Sequence, residues 1–382
     1  MTELDSVRTL DQAALDRLLG RNLLTTQEWA VDDLDTLRAL ARAHATLDRA
    51  GVAQALCPNE LAQAVFFDQS TRTKSAWAGA AARLGMHPVI VDGSSTQVSH
   101  GETAVETGAM VGMNAHALGI RHDLIPGEGN PFMRDIAAGI DGYLGATDDR
   151  RRVPVVNLQC DVDHPTQTVA DLLWLEDCLG SLDGRSITVS WAYSPSYAKP
   201  MSVPQGLVTL LTRFGADVTL AHPPGYRLSD DTLATAEANT GGGGSFRVVD
   251  DMDEAFIGAD AVYPKSWGAH ELLHERVGDN AAGDTEGLAR IEERALEQNA
   301  RHTDWICDER RMALTADGSA RYLHCLPADI GDEVSPGVME QATVDVAREA
   351  NWKVYVVMAL LAGAKVPDLA ARLDTLTTEC PR

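Results

Sequence analysis

The sequence predicts an α/β protein with two domains, each built on a doubly wound parallel sheet. The chain has 382 residues, which is long for one domain and ordinary for two. Hydrophobic residues make up 45% and charged residues 23%, as in globular proteins, which excludes wholesale disorder. Short apolar runs alternate with helical patterns, and this alternation predicts parallel strands covered by helices.

The first half of the chain begins with helical periodicity and then alternates between strands and helices. Apolar residues recur at helical spacing over 10–19 and 32–50. We expect strands over 61–67, 115–121 and 153–158, with helices over 75–84 and 168–178.

The second half repeats the alternation after a glycine-containing segment at 179–184. We expect strands over 186–192, 216–221, 246–249, 259–263 and 321–323, helices over 202–214, 232–238 and 252–257, and a flexible turn at the four glycines of 241–244. An apolar helix over 344–364 is expected to return to the first domain. The prediction is therefore a first domain over 1–178, completed by 344–382, and a second domain over 179–343.

The charge of the chain excludes several partners. It carries 56 acidic and 32 basic residues, a formal net charge of −24, which repels nucleic acids and anionic membrane surfaces. The longest apolar stretch, near 354–364, is far short of the roughly 20 residues that span a bilayer. The N-terminal residues show no signal-peptide pattern. We therefore expect a cytoplasmic protein that binds neither nucleic acid nor membrane.

The cysteines predict no metal site. They form no Cys-x-x-Cys pair and no Cys/His cluster at zinc spacing, so we expect most of them to be small buried residues. No cofactor is predicted either. The six cysteines are Cys57, Cys160, Cys178, Cys307, Cys325 and Cys380.

The segment 68–74, Asp-Gln-Ser-Thr-Arg-Thr-Lys, predicts an anion site. It follows an expected strand and opens an expected helix, where free backbone N–H groups and the helix dipole favour an anion. Its hydroxyls donate hydrogen bonds, and Arg72 offers a bidentate fork for a phosphate. The alternative is a simple helix cap by Ser70 or Thr71 beside a surface arginine.

Two further segments combine polar groups with the end of an expected strand. His-Pro-Thr-Gln at 164–167, with Asp171 beyond it, offers an imidazole and an amide that suit a carbonyl and an amine. In His-Cys-Leu-Pro at 324–327, the proline keeps Leu326 out of the helical region, which leaves backbone carbonyls to accept hydrogen bonds. The alternatives are a structural histidine and a strand end with a buried thiol.

Together and in this order, these motifs resemble the aspartate/ornithine carbamoyltransferase family. The motifs are Phe-x-x-Ser-Thr-Arg-Thr at 67–73, His-Pro-Thr-Gln at 164–167 and His-Cys-Leu-Pro at 324–327. The resemblance covers about residues 30–365. The chain is most similar to the YgeW-like branch at 156–167, 191–200, 263–267 and 322–329, and the Lys-Ser-Trp segment at 265–267 is also similar to acetylornithine enzymes.

The resemblance implies a carbamoyl phosphate site. Arg72, Thr73, Arg121 and His164 are the expected catalytic residues. The residues expected to bind carbamoyl phosphate are Ser70, Thr71, Arg72, Thr73, Gln97, Arg121, His164, Gln167, Cys325 and Leu326. Gln97 matches a position that reaches into a neighbouring subunit, which implies a homotrimer with shared sites, open to larger assembly.

The resemblance also implies a second site for a small amine or ureido substrate. Lys265 stands where ornithine enzymes have an aspartate that faces an ammonium group, and a lysine there would repel ornithine. The family arginine near the chain end is replaced by Trp352, next to Lys353. The residues expected to bind the second substrate are Gln159, Lys199, Lys265, Trp267, Leu326 and Lys353.

These lysines predict a cationic pocket that suits a small acidic, acylated or ureido amino acid. Surface exposure of Lys199 and Lys353 is the alternative. Aspartate is not expected as the substrate, because the basic loop of aspartate enzymes has no clear match. The proline-rich segment 194–204 resembles a loop that forms a deep trefoil knot in acetylornithine-type enzymes, and the same knot is expected here in the second domain; an ordinary proline loop is the alternative.

Two rival functions remain open. One is a non-catalytic relative that binds carbamoyl phosphate as a scaffold or regulatory subunit. The other is a nucleotide-binding protein, which would need a glycine-rich phosphate loop between a strand and a helix. The sequence has no such motif, and the glycines of 241–244 lead into an expected strand.

Overall fold

The computed structural model describes residues 3–378, apart from the side chains of Glu3, Asp5 and Ser99, so Cys380 lies outside the described residues. Two compact units form. The first consists of Met1–Asp123, Glu128–Val169 and Asn351–Arg382, and the second of Leu124–Gly127 and Ala170–Ala350. The chain passes between the units inside two continuous helices and also on either side of the short segment Leu124–Gly127. The boundaries predicted from the sequence, 178/179 and 343/344, differ from the crossings at 169/170 and 350/351 by less than ten residues. Each of these crossings lies inside a continuous helix, so no break in the helical pattern shows its position.

The first unit contains a four-stranded parallel sheet in the order β2-β1-β3-β4. Its strands are β1 (Leu61–Phe66), β2 (His87–Asp92), β3 (Ala117–His122) and β4 (Val155–Cys160). The helices of this part of the chain are α1 (Gln12–Asp16), α2 (Val31–Arg49), α3 (Arg72–Arg83), α4 (Ala104–Asn114), α5 (Gly129–Ala146) and α6 (Pro165–Leu179).

The second unit contains a five-stranded parallel sheet in the order β7-β6-β5-β8-β9. Its strands are β5 (Ser186–Ser190), β6 (Asp217–Ala221), β7 (Ser245–Val249), β8 (Ala261–Pro264) and β9 (Arg321–Tyr322). The remaining helices are α7 (Ser202–Arg213), α8 (Asp230–Asn239), α9 (Met252–Phe256), α10 (His270–Ala282), α11 (Thr285–Asn299), α12 (Glu309–Met312), α13 (Pro336–Lys365) and α14 (Leu369–Thr378).

The strand order reverses once in each sheet, between β1 and β3 and between β5 and β8. At such a point the connections leave in opposite directions and open a crevice beyond the carboxyl ends of the strands, where α/β proteins bind ligands. The prediction of two parallel α/β sheets is confirmed, and each sheet has one strand reversal beside which a ligand is expected to bind.

All eight strands predicted from the sequence are confirmed within two residues. The edge strand β2 was missed. Five of its six residues are exposed, so its sequence lacks the alternation of apolar and polar residues that a half-buried strand shows. The last long helix begins at Pro336 and not near residue 344, since proline is compatible with the first turn of a helix. None of the helices described within residues 3–378 combines the length and apolar character required to cross a bilayer.

Helices α4 and α5 cross closely through glycines. A Cβ atom on Gly108 would lie 2.2 Å from the carbonyl oxygen of Ile136, and one on Gly139 would lie 2.1 Å from that of Val105. Both separations are well below van der Waals contact. The α5 residues Ile136 and Ile140 are buried against β3, so this close crossing helps to fix the sheet below the first crevice.

Candidate active site

The predicted phosphate loop follows β1, next to the strand reversal of the first unit. Helix α3 begins at Arg72, so Ser70 and Thr71 precede it and Thr73 lies in its first turn. Thr71 is the N-cap residue, but its side chain makes no capping hydrogen bond. The structure therefore does not show Thr71 as a side-chain cap of α3. Thr73 is 3% exposed, whereas Ser70 and Arg72 are half-buried and Thr71 is exposed.

Arg121 lies near the carboxyl end of β3, on the other side of the strand reversal. The pairing of β3 with β4 shifts by one residue between Ile120 and Arg121, which places Arg121 opposite Gln159. The guanidinium donates two hydrogen bonds to Asp123, from Nε to Oδ1 at 2.9 Å and from Nη2 to Oδ2 at 3.0 Å. Gln159 is 5% exposed.

His164 and Gln167 lie beyond β4, where α6 begins. They are 3% and 1% exposed, and the Nδ1 atom of His164 lies 3.3 Å from the hydroxyl of Thr166. The preceding Asp163 accepts hydrogen bonds from the backbone N–H and the hydroxyl of Thr26, at 2.8 and 3.0 Å. Burial raises the pKa of Asp163 to about 6 against these contacts. This buried anchor holds the chain just before His164.

Lys353 belongs to the first unit. It lies on α13, is 3% exposed, and its Nζ atom is 3.5 Å from the hydroxyl oxygen of Thr73. The alternative of an exposed surface lysine is therefore wrong for Lys353. A buried ammonium group beside the predicted phosphate loop favours an anion there.

In the second unit, Lys199 lies in the proline-rich loop after β5. Its ammonium group forms ion pairs with Asp329 at 2.7 Å and with Glu333 at 2.9 Å, and its side chain is only 17% exposed. Surface exposure is therefore wrong for Lys199 as well. The two carboxylates offset its charge, so this part of the predicted cationic pocket is neutralised in the structure.

Lys265, Ser266 and Trp267 follow β8, across the second strand reversal. The Nζ atom of Lys265 donates to the carbonyl oxygens of Pro200 at 3.2 Å and Ser266 at 2.7 Å. Lys265 is 6% exposed, so it joins the loop after β5 to the loop after β8. Trp267 is 1% exposed and its indole donates to the carbonyl of Tyr226 at 2.7 Å, which packs its ring inside the second unit.

The His-Cys-Leu-Pro segment follows β9. Leu326 has φ +55°, outside the right-handed helical region as the sequence predicts, and its backbone N–H donates to Nδ1 of His324 at 2.8 Å. The other ring nitrogen of His324 lies 3.7 Å from Glu333. Burial lowers the pKa of His324, although Glu333 opposes this effect, so the ring is neutral at pH 7. Cys325 and Leu326 are half-buried.

Glu333 ties these three loops of the second unit together. Besides Lys199, it accepts hydrogen bonds from the backbone N–H groups of Ser266 at 2.6 Å and Asp329 at 2.7 Å. Burial alone would raise the pKa of Glu333, but its contacts with His324 and Lys199 outweigh this effect and hold the pKa well below the ordinary 4.5. The side chain is fully buried and ionised.

Gln97 lies in a short 3-10 turn, Gln97–His100, and is exposed. With Phe67, Val98 and Met110 it lines a cavity of about 340 Å³ in the first unit.

The sequence analysis missed several buried carboxyl groups around these sites. Asp123 pairs with Arg121, Glu333 joins the loops of the second unit, and Glu349 accepts from the backbone N–H of His324 at 3.2 Å. Burial and the neighbouring Asp171 raise the pKa of Glu349 well above its usual range. The chain has 56 acidic residues, and nothing in the sequence around one of them indicates that its side chain is buried. In the described part of the chain, His, Cys, Asp and Glu side chains form no group of three that could hold a metal ion.

Comparison with known proteins identifies relatives along most of the chain. Residues 21–177 match the family model "Aspartate/ornithine carbamoyltransferase, carbamoyl-P binding domain", and residues 199–363 match "Aspartate/ornithine carbamoyltransferase, Asp/Orn binding domain". The chain is 44% identical over 370 residues to "Putative carbamoyltransferase YgeW" of Escherichia coli (strain K12), covering 94% of this chain and 93% of that one.

More distant relatives include enzymes with an acylated substrate. The chain is 31% identical over 356 residues to N-acetylornithine carbamoyltransferase of Xylella fastidiosa (strain Temecula1 / ATCC 700964), covering 90% and 98% of the two chains. A crystal structure of an N-acetyl-L-ornithine transcarbamylase variant, complexed with carbamyl phosphate and N-succinyl-L-norvaline, aligns with a TM-score of 0.70 at 27% identity. That alignment covers 89% of this chain and 98% of the other.

Proposed function

The chain belongs to the aspartate/ornithine carbamoyltransferase family, and we propose that it moves a carbamoyl group between carbamoyl phosphate and the amino group of a small acidic, acylated or ureido amino-acid-like substrate. One observation carries this proposal. Three adjacent strands around the strand reversal of the first sheet carry these groups at or just beyond their carboxyl ends: the phosphate loop after β1, Arg121 near the end of β3, and His164 after β4. Carboxyl ends of parallel strands share one edge, so these groups can act on one ligand.

Each predicted residue has a chemical role at carbamoyl phosphate. The loop 70–73 binds the phosphate through backbone and side-chain donors at the start of α3. Arg121 reaches both the phosphate and the carbonyl oxygen, and His164 donates a hydrogen bond to the carbonyl oxygen. The amide of the carbamoyl group is recognised by Gln167 and by the backbone carbonyls of Cys325 and Leu326. Lys353, beside Thr73, adds a positive charge at the phosphate.

The mechanism follows the movement of charge. A neutral amine attacks the carbamoyl carbon, the new C–N bond forms, and negative charge gathers on the carbonyl oxygen, where Thr73, Arg121 and His164 stabilise it. The C–O bond to phosphate then breaks, and the loop 70–73 stabilises the leaving phosphate. The phosphate takes the proton that the attacking nitrogen loses. Holding both reactants in place supplies much of the remaining acceleration.

The second substrate is proposed from the loops after β5, β8 and β9. The positive charge of Lys199 is offset by the carboxylates of Asp329 and Glu333. The ammonium group of Lys265 donates hydrogen bonds to two backbone carbonyls. Lys265 stands where ornithine enzymes have the aspartate that faces an ammonium group, and a lysine cannot bind that group, so free ornithine is a poor substrate. An acylated amine suits the backbone N–H donors of these loops, whereas Asp329 and Glu333 offset the charge of Lys199 that would attract an acidic one. The identity to an N-acetylornithine enzyme supports the acylated class.

A ureido-product assay tests the proposal. Purified protein is given carbamoyl phosphate with ornithine, acetylornithine, aspartate, 2,3-diaminopropionate, putrescine or oxamate. The reverse reaction, from phosphate and ureido acids, is measured in parallel because carbamoyl transfer is reversible. A single acidic or acylated substrate with ornithine inactive supports the proposal. Turnover of ornithine alone would contradict the role assigned to Lys265.

Two arginines on α3 separate a catalyst from a binding scaffold. Arg72→Ala removes the arginine of the phosphate loop and is expected to abolish turnover. Arg83→Ala, at the other end of α3, removes an exposed ion pair with Asp48 and is the matched control, expected to keep full activity. Wild-type protein that binds carbamoyl phosphate but turns over none of the substrates would favour the scaffold.

We also propose that the enzyme is a homotrimer. Five apolar residues near Gln97 in the chain are 38–49% exposed: Val89 and Ile90 on the edge strand β2, and Val105, Met110 and Met113 on α4. Exposed apolar residues are typical of surfaces that bind another protein chain. Light scattering is expected to give three times the mass of one chain. Met110→Lys should lower that mass and the activity together, whereas Val344→Lys, at a more exposed apolar residue of α13, should change neither.

A further inference from the structure

One asparagine side chain holds the proline-rich loop after β5. Asn299 is the last residue of α11 and is 3% exposed. Its Nδ2 atom donates to two backbone carbonyls of the loop, that of Ser194 at 3.0 Å and that of Ser196 at 3.1 Å. The fully buried hydroxyl of Tyr226 donates to Oδ1 of the same amide at 2.5 Å. Both polar atoms of the asparagine side chain therefore have partners within the second unit.

The chemistry of these partners fixes the orientation of the amide. Backbone carbonyls only accept hydrogen bonds, so the group that faces Ser194 and Ser196 must be the NH₂ donor. Among side chains of similar size, aspartate would present an oxygen to both carbonyls, and leucine would present no donor. The position therefore requires an amide and not merely a buried side chain of this size.

The turn that Asn299 holds is linked directly to Lys199. The hydroxyl of Ser194 accepts from the backbone N–H of Ser196 at 3.0 Å and donates to Oδ2 of Asp329 at 2.5 Å. The same Oδ2 atom accepts from the ammonium group of Lys199 at 2.7 Å. A shift of Ser194 therefore changes the position of the carboxylate that pairs with Lys199.

We propose that Asn299 is a positioning residue that shapes the loop 194–200 for the second substrate and so sets the affinity for that substrate. This inference rests on the proposed function, in which Lys199 and its loop contribute to the second-substrate site. Asn299 acts through the loop, because both polar atoms of its amide already have partners within the protein. Loss of its NH₂ group leaves two loop carbonyls without their donor, which favours other loop conformations.

Steady-state kinetics of Asn299→Asp tests the inference, because this variant keeps the shape of the side chain but presents an oxygen to the two carbonyls. The Michaelis constant is measured at saturating carbamoyl phosphate with ornithine, acetylornithine, aspartate, 2,3-diaminopropionate, putrescine and oxamate. For each acceptor that wild type uses, it should rise about tenfold, because small displacements of a substrate-binding group are costly. Calorimetric titration gives the affinity for phosphonoacetamide, a stable analogue of carbamoyl phosphate. That affinity should not change, because most of its proposed contacts lie in the first unit.

Asn239→Asp is the matched control. Asn239 is also the last residue of its helix, α8, and its Nδ2 atom donates to the backbone carbonyl of Thr209 at 2.9 Å. Thr209 belongs to α7 and not to the proline-rich loop. Both the Michaelis constant and the affinity for phosphonoacetamide should therefore stay at their wild-type values.

Each outcome decides between the inference and its failure. An unchanged Michaelis constant in Asn299→Asp would overturn the inference, while turnover by wild type would leave the proposed function standing. Equal losses of affinity for the acceptor and for phosphonoacetamide would also overturn it, because a general structural role affects both sites. Absence of turnover by wild type with every acceptor would overturn the proposed function and the inference together. Should Asn299→Asp fail to fold, Tyr226→Phe removes only the hydroxyl that holds the amide, and an unchanged Michaelis constant there would overturn the inference.

Discussion

Replacing Glu333 with glutamine tests the network that joins the three loops of the second unit. The carboxylate is fully buried and accepts from Ser266, Asp329 and Lys199 at 2.6–2.9 Å. Glutamine has nearly the same shape but no charge, and its NH₂ group would face one of these donors. The variant therefore leaves Lys199 with Asp329 as its remaining anion and breaks at least one hydrogen bond.

The expected loss is about 3 kcal/mol. Removing one partner of a buried ion pair costs roughly 3–5 kcal/mol, and the lower end applies because glutamine keeps one acceptor oxygen. In a unit of this size, 1 kcal/mol shifts the melting temperature by about 2–4 °C, so the second unit should melt about 6–12 °C earlier.

The loss should depend on pH in a defined direction. Because the folded pKa of Glu333 is lowered from 4.5, its stabilising contribution is fully present above about pH 4.5 and is lost as the pH falls toward the folded value. The difference between wild type and variant should be constant from pH 6 to pH 8. Below pH 4.5 it should shrink by about 1.4 kcal/mol per pH unit.

Scanning calorimetry over this pH range measures the effect. Glu340→Gln, at an exposed carboxylate on α13, is the control and should stay within about 0.5 kcal/mol of wild type. A melting temperature of Glu333→Gln within 2 °C of that control at pH 7 would refute the reasoning, because the buried charge would then contribute nothing measurable.

Three further predictions follow from single buried groups. Lys353→Met should lower kcat/KM about 100-fold in the ureido assay, with partial rescue by Lys353→Arg, since it removes a cation beside Thr73; an unchanged value would contradict this. Burial lowers the pKa of His44 from 6.5 to about 4, so the unfolded chain takes up its proton first. Between pH 7 and pH 5, the free energy of unfolding measured with urea should therefore fall about 2 kcal/mol more for wild type than for His44→Gln. Iodoacetamide at pH 8 should label the half-buried Cys325 before Cys178, because burial raises the pKa of Cys178 to about 11. Carbamoyl phosphate should slow the labelling of Cys325. Mass spectrometry measures the order of labelling, and labelling of Cys178 first would contradict this prediction.

Much of the local structure was readable from the sequence because its signals are local. The buried β4 is indicated by its apolar residues Val155, Val156 and Leu158, although Asn157 and Gln159 interrupt the run. The motifs at 70–73, 164–167 and 324–327 come shortly after strands. Exposed elements gave weaker signals. Strand β2 has no buried face, and α4 is marked mainly by the capping box of Thr103 and Glu106, which is easily overlooked in a chain rich in such residues.

The sequence by itself therefore determined the α/β class, eight of the nine strands along the chain and the residues at their ends, since hydrophobic periodicity and motif spacing act over a few residues. Only the tertiary structure decided which strands are neighbours and which charges are paired. Lys353 meets Thr73 across 280 residues of chain, and Lys199 meets Glu333 across 134. Each pair forms only when its unit folds and buries the side chains. Burial then influences their charge state, and no local sequence pattern indicates which side chains become buried together.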